Sequence, residues 1–358
     1  MTHFLRDILR QPEELQRAID YLCGAGRITL EEAAAAVRKA DHVYLTGIGA
    51  SWHSALSAGG MLHLGGRPVY LRDAAELLHF AKLPRNAAVV LISRTGGSIE
   101  VVQLLAKARE CGATVIGLTN SPDGELAREA QIPIVIPVKL DHAISITTYS
   151  TLAAAGGSLA SATLGAFNSA LVAALARAIE ETGRCFRHWQ EQLANSSWLA
   201  PAATYYFLAR GPSLGSCYEA RLLWEEGVKS PATAMGTGAF RHGPQEVVAS
   251  GTRFGVWIGA RMMRDQDLAV ARDLGRLGAS VMLIGQELPE DTADLVMQLP
   301  PVPLEWQFLI DIIPAQFAAE RLANLSGVDC DSFRYCSFIV ENESGLFDEK
   351  LAAPRDEG

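Results

Sequence analysis

The chain has 358 residues, 49 % of them apolar, and a formal net charge of −9. That length exceeds what one small core holds and predicts two domains. The acidic balance leaves no basic stripe to neutralise a phosphate backbone, so a nucleic-acid partner is excluded, while a local site for a small anion is not.

The N-terminus, Met1 to Asp7, carries no signal-peptide core. A first helix is predicted from Pro12, a favoured N1 residue, through Leu15, Ile19 and Leu22. Residues 1–27 therefore form a helical lead-in, with the first domain over 28–197. Thr29-Leu30-Glu31-Glu32 has the pattern of a capping box and opens a second helix to Ala40. Strands and helices then alternate. His42–Thr46 is a strand, 47–51 a turn, Trp52–Leu64 a helix, Pro68–Leu71 a strand and Ala74–Ala81 a helix. Ala87–Ile92 is an unbroken apolar run, expected to be a strand buried on both faces. Ile99, Val102, Leu104, Leu105 and Ala108 recur at helical spacing, so a helix begins near Ser98. Thr114–Leu118 and Ile134–Ile136 are strands around a short helix from Gly124 to Ala130. This alternation implies a parallel sheet with helices on both faces.

Between the buried strand and its helix lies Ser93-Arg94-Thr95-Gly96-Gly97-Ser98. Such a turn is an anion cradle: glycines let backbone N–H groups approach a ligand, and the helix N-terminus adds positive potential. Ser93, Thr95 and Ser98 offer hydroxyls and Arg94 a full charge. An ordinary serine-capped turn is the competing reading. Gly47-Ile48-Gly49-Ala50-Ser51 follows its own strand in the same way, and both turns fall on one sheet edge. Gly49 is not followed by x-x-G, and no acidic residue closes a tight unit about twenty residues on, so this is not a nicotinamide site.

From Leu152 to Leu193 the chain reads as helical, broken or bent at Gly156-Gly157 and Gly165. Its alanine, glycine, serine and threonine interior lacks the leucine density of a spanning helix, so a buried helix pair is expected and no membrane partner. Trp198–Ala203 is a linker, and a second α/β unit over 198–345 follows. Tyr205–Ala209 is its first strand, Gly211–Ser216 a turn and Tyr218–Gly227 a helix. Phe254–Ile258 and Val281–Ile284 are strands separated by a helix through Leu268 and Leu274. Leu295–Leu299 is the last strand and Trp306–Leu325 one long helix, before a polar tail over 346–358. The six cysteines, Cys23, Cys111, Cys185, Cys217, Cys330 and Cys336, form no C-x-x-C pair, and no histidine stands at zinc spacing. They read as reduced thiols of a cytoplasmic protein without a metal.

Gly-Ile-Gly-Ala-Ser-Trp-His-Ser at 47–54 with Ser-Arg-Thr-Gly-Gly-Ser at 93–98 resembles the sugar isomerase (SIS) domain family, which binds phosphorylated sugars. Ala-Arg-Gly-Pro-Ser at 209–213, Phe-Arg-His-Gly-Pro at 240–244 and the opening Ile8-Leu9-Arg10-Gln11-Pro12 extend the resemblance over nearly the whole chain. It is to the double-SIS enzymes: the isomerase half of glucosamine-6-phosphate synthase, the SIS-type aminosugar-phosphate deaminases and the fructoselysine-6-phosphate deglycases. The implied fold is two tandem SIS domains, each a mostly parallel, flavodoxin-like sheet in a three-layer α/β arrangement. The resemblance implies a phosphate cradle of Ser51, Ser93, Arg94, Thr95 and Ser98, with Gly49, Thr147 and Thr148 at the sugar. Ala50 stands where the synthase has threonine and Arg94 where it has glutamine. The two threonines also fit plain helix capping.

Glu226 aligns with the family's catalytic base, beside Glu225, whose presence makes a solvated acidic helix end the competing reading. His242, sixteen positions later, aligns with a histidine that reaches the neighbouring subunit's site, which implies a homodimer, or a dimer of dimers, with shared sites. The relatives carry a lysine near the C-terminus; lining up residues 328–340 places Cys336 there, and Lys350 is the only late lysine. Pro303-Leu304-Glu305-Trp306 and Phe333-Arg334-Tyr335 look more like the deglycase branch. The expectation is a cofactor-free enzyme, first a deglycase or deaminase acting on an amino-substituted ketose 6-phosphate. A plain aldose–ketose isomerase and a non-catalytic sugar-phosphate regulator are the alternatives.

Overall fold

The computed structural model describes residues 1–343 and 345; the polar tail over 346–358, Lys350 included, lies outside the described residues. The lead-in holds two helices rather than one. α1 (His3–Leu9) precedes the predicted start, and α2 (Gln11–Cys23) carries Pro12 in its first turn. α1 is only seven residues long; Thr2 caps its Leu5 amide locally, and its first two amides are satisfied from the far end of the chain. Asp331 accepts the N–H groups of His3 and Phe4, both at 2.7 Å. α3 (Arg27–Lys39) starts from Gly26, so Thr29 lies inside the helix and its capping box does not form. The tight turn at Gly24 and Gly26, whose N–H groups bond back to Asp20 and Tyr21, restarts the helix earlier than a threonine cap would.

The first sheet contains β1 (His42–Thr46), β2 (Tyr70–Leu71), β3 (Ala87–Ser93), β4 (Thr114–Thr119) and β5 (Ile132–Val135). Helices α4 (Ala50–Leu64), α5 (Ala74–Phe80), α6 (Ile99–Glu110) and α7 (Glu125–Glu129) intervene. The strand order is β2-β1-β3-β4-β5, parallel throughout, and all seven residues of β3 are buried. The helical region divides into α8 (Thr147–Thr163) and α9 (Ser169–Asn195). The break falls at Gly165, where φ is +72°. Gly156 and Gly157 stay helical and serve close packing instead. A Cβ on Gly157 would come within 2.8 Å of Phe308 and 2.9 Å of Trp306. Every residue of α8 is buried, and no described helix is long and apolar enough to cross a membrane.

The second sheet contains β6 (Tyr205–Ala209), β7 (Ala232–Gly236), β8 (Arg253–Ile258), β9 (Ser280–Gly285) and β10 (Leu295–Gln298). Its order, β10-β9-β8-β6-β7, repeats the first sheet, again with parallel neighbours. β7 has no counterpart in the sequence reading. It is an edge strand of Ala-Thr-Ala-Met-Gly, half-buried at every position, so it shows no period-two alternation. Helices α10 (Leu214–Leu223), α11 (Thr237–Phe240), α12 (Arg264–Arg276) and α13 (Ile313–Leu325) complete the unit. The single helix predicted over 306–325 is a 3₁₀ turn, Leu304–Leu309, followed by α13. Pro314 stands in the first turn of α13, where its missing N–H breaks nothing; in a continuous helix it would remove a hydrogen bond.

One apolar core runs between the sheets. Leu45, Val90 and Ile92 of the first and Phe207 and Trp257 of the second join Leu152, Leu159, Leu223 and Phe317 of the helices between them. The stretch predicted as a linker is pinned to it. Trp198 is fully buried and donates its indole N–H to the Phe254 carbonyl at 3.1 Å.

Candidate active site

Thr46 of β1 lies opposite Leu91 of β3, so the turns that follow both strands share one carboxyl edge. The first turn depends on glycine at two points. A Cβ on Gly47 would come within 2.9 Å of the Ile92 carbonyl, and Gly49 has φ +56°. Ser51 joins the turns by accepting the Arg94 N–H at 3.3 Å. In the second turn Ser93 Oγ accepts from Gly96 N–H at 3.0 Å, and Thr95 Oγ1 from Gly97 N–H at 3.3 Å. Ser98 is the N-cap of α6 and makes no side-chain cap bond, which leaves its hydroxyl for a ligand.

Gly49, Ser51, Ser93, Arg94, Thr95 and Ser98 line one cavity of about 190 Å³, and Glu226 lines it with them. Glu226 sits in a π-helical turn, Trp224–Val228, that continues α10. Such turns re-aim a side chain within a helix and recur at functional sites. Burial, and then the neighbouring Glu219 carboxyl, push the Glu226 pKa up to about 7, while Arg94 and Lys229 oppose the rise. Glu225 points elsewhere: it is exposed, with Oε2 3.5 Å from Arg221 Nε. The two adjacent glutamates therefore have different environments, one solvated and one facing the cradle.

Arg94 differs from the expectation of a free charge for phosphate. Its guanidinium donates to the Ala143 carbonyl at 2.8 Å, Ser145 Oγ at 3.0 Å and the Phe338 carbonyl at 3.0 Å, and lies 4.0 Å from the Phe338 ring centre. Those acceptors and the ring hold the side chain in the cavity wall. Ile99, the first residue of α6, donates its N–H to the Val340 carbonyl at 2.9 Å. Residues 333–340 thus pass along the cavity, and Cys336 lines it with Glu226. Burial, and then Glu226, raise the Cys336 thiol, so it is not a thiolate at neutral pH.

Thr147 and Thr148 do not line this cavity. Both are fully buried in the first turn of α8 and donate their hydroxyls to Asp141, Thr148 at 2.6 Å. Asp141 also accepts the N–H groups of Ile146, Thr147 and Thr148, together with Arg10 Nη2 at 2.8 Å. Neither threonine caps the helix: Asp141 accepts the orphan amides that open α8, and both threonine hydroxyls donate to that one buried carboxylate. His242 lies on an exposed turn between α11 and a 3₁₀ segment, its N–H bonded to the Ala239 carbonyl at 3.0 Å. It does not line the Glu226 cavity of its own chain.

One buried pair went unmarked by any motif. His53 Nδ1 lies 2.7 Å from Glu219 Oε2, and both side chains are almost fully buried. His53 follows Ser51 by two residues on α4, while Glu219 lies on α10, seven residues before Glu226 in the turn that continues it, so the pair ties the helix of Ser51 to the helix that leads to Glu226. Burial pushes His53 down to about 3 and Glu219 upward, so burial disfavours charge on both. The two-turn spacing of Glu219 and Glu226 is the one signal the sequence offered. Among the described residues no three His, Cys, Asp or Glu side chains are grouped to hold a metal ion.

Residues 36–162 match the family model of the SIS domain. Over 350 residues the chain is 23 % identical to glutamine–fructose-6-phosphate aminotransferase [isomerizing] of Streptococcus pneumoniae, covering 93 % of this chain and 57 % of that protein. The chain thus spans little more than half the length of such relatives. Among solved structures, the C-terminal domain of glucosamine-fructose-6-phosphate aminotransferase from Francisella tularensis superposes with a TM-score of 0.82 at 18 % identity, covering 92 % of this chain and 98 % of that one. Glucosamine-6-phosphate deaminase from Thermotoga maritima gives 0.79 at 21 % identity, covering 95 % and 99 %. These likenesses establish the fold.

Proposed function

From a chain that contains a SIS domain and repeats its fold in a second parallel sheet, we propose a cofactor-free enzyme that processes an amino-substituted ketose 6-phosphate. One observation carries the reading: the hydroxyl- and amide-lined cradle and Glu226 converge on one cavity. The cradle fixes the phosphate and so places C1 and C2 beside the carboxylate. Glu226 removes a proton from C1, next to the C2 carbonyl, to give an enaminol. Protonation at C2 yields a Schiff base at C1, which water hydrolyses to the aldose phosphate and a free amine. Cys336 stands where the relatives' lysine is expected, and a substrate that brings its own nitrogen has less need of a lysine amine. A raised Glu226 beside a phosphate cradle also favours an enzyme over a passive sensor. Turnover should be faster on a fructosamine 6-phosphate than on fructose 6-phosphate, with products followed by NMR. Efficient interconversion of free hexose phosphates with no amine released would replace this reading by plain isomerisation.

A base works only once deprotonated. Because the Glu226 pKa is raised to about 7, kcat/KM should climb as pH rises through that value and fall away below it. A profile already flat from pH 5 upward would assign the base to another group.

His242 is proposed to serve the site of a partner subunit. Glu226→Gln and His242→Asn proteins should each be inactive, and exchanging their subunits should restore part of the activity. No recovery in verified mixed dimers would remove the shared site and leave the chemistry.

A further inference from the structure

The second sheet repeats the first, strand for strand, yet the cavity described above uses only the first sheet's carboxyl edge. The corresponding edge of the second sheet carries a larger cavity, of about 500 Å³, and the Ala-Arg-Gly-Pro-Ser stretch at 209–213 forms part of its wall. Three turns build it, at the positions that build the first. The turn after β6 contains Gly211 at φ +57°, matching Gly49 at +56° after β1. The loop after β8 supplies Arg261, as the turn after β3 supplies Arg94, and the segment after β10 supplies Glu305 and Gln307.

Its polar groups are arranged for a ligand. Asp267 lines the cavity although its side chain is only 2 % exposed, and its Oδ1 accepts from Arg210 Nε at 2.8 Å. The other Asp267 oxygen and both Arg210 Nη groups make no further hydrogen bond among the described residues. An acceptor and donors with no protein partner, on residues that line a cavity, are groups that a ligand satisfies. Arg261 is exposed, its side chain makes no hydrogen bond or ion pair among the described residues, and it adds a second guanidinium at the mouth. Guanidinium groups take phosphate, and a carboxylate beside them takes hydroxyl donors. The volume lies within the range of small-molecule sites, and the place is where open parallel sheets bind ligands.

We propose that this cavity is a second binding site, for a phosphate ester that carries free hydroxyls. Arg210 and Arg261 hold the phosphate, and the open oxygen of Asp267 accepts a hydroxyl. A sugar phosphate and a nucleoside monophosphate share that chemistry, and the test separates them. The inference does not depend on which reaction occurs at the first site.

The test is titration calorimetry of the full chain with fructose 6-phosphate and, separately, AMP. It is run on the wild type and on a Ser93→Ala, Ser98→Ala background that weakens the first cradle. At least one probe should bind the background protein at one site per chain, and that probe names the source. Adding Arg261→Ala, at a side chain with no bond among the described residues, should weaken this binding about ten- to a hundredfold. Asp267→Asn keeps an acceptor for Arg210, removes one for the ligand, and should weaken it as well. If neither probe binds the background protein, or if binding there is unchanged by Arg261→Ala and Asp267→Asn, the second site does not exist.

Discussion

Glu226→Gln should lower turnover by about two to four powers of ten and leave sugar-phosphate affinity nearly unchanged. Glutamine keeps the size and hydrogen-bonding reach of the side chain but cannot take a proton. The substitution also removes a carboxyl that is costly to ionise in place, since burial and Glu219 hold its pKa near 7. The folded protein should therefore lose no stability at neutral pH. Its thermal midpoint should match or exceed that of the wild type, and that separates a chemical loss from a folding one. Calorimetric binding together with single-turnover kinetics checks the assignment. A variant that retains turnover assigns the proton transfer elsewhere, and one that loses affinity in step with turnover makes Glu226 a binding group.

Gly124→Ala should damage the cradle although Gly124 does not itself line the cavity. Gly124 has φ −71° and ψ 153°, angles open to any residue, so only space keeps a side chain out. A Cβ there would fall 2.1 Å from the Thr95 carbonyl oxygen and 3.2 Å from Gly96 Cα. Both neighbours are backbone, and backbone cannot swing aside as a long side chain can, so the 93–98 turn must shift. A displacement that misaligns one or two charge-assisted hydrogen bonds costs about 1.5–3 kcal/mol each, or at least tenfold in affinity for a sugar phosphate. Calorimetry with fructose 6-phosphate measures it. Unchanged affinity would mean that the phosphate does not rest on this turn.

The cradle was legible because its signals are local. A seven-residue buried strand, a glycine- and hydroxyl-rich turn and a helical repeat stand side by side in the sequence, and the structure keeps that order. Gly49, Ser51, Ser93, Thr95 and Ser98 are brought to one cavity because parallel strands put their following turns on one edge. The misses share a cause of the opposite kind. α1 is held by Asp331, more than three hundred residues away. β7 is an edge strand whose half-burial follows from its single neighbour β6. The His53–Glu219 bond exists only because α4 and α10 pack across the two sheets. Long-range partners leave no periodicity in the sequence. Arg94 shows the same limit: its charge is legible in the sequence, but its engagement with residues 143–145 and Phe338 is not.

The account's central claim is that Glu226 moves a proton from C1 of an amine-bearing, phosphate-anchored ketose. The direct measurement uses a fructosamine 6-phosphate dideuterated at C1, with the products read by NMR. Proton abstraction predicts release of the amine and an aldose phosphate that retains a single deuteron at C1, with the other moved to C2 or lost to solvent. Glu226→Gln should show neither the release nor the transfer. A product that keeps both deuterons on C1, or the absence of amine from every fructosamine tested, would contradict the account.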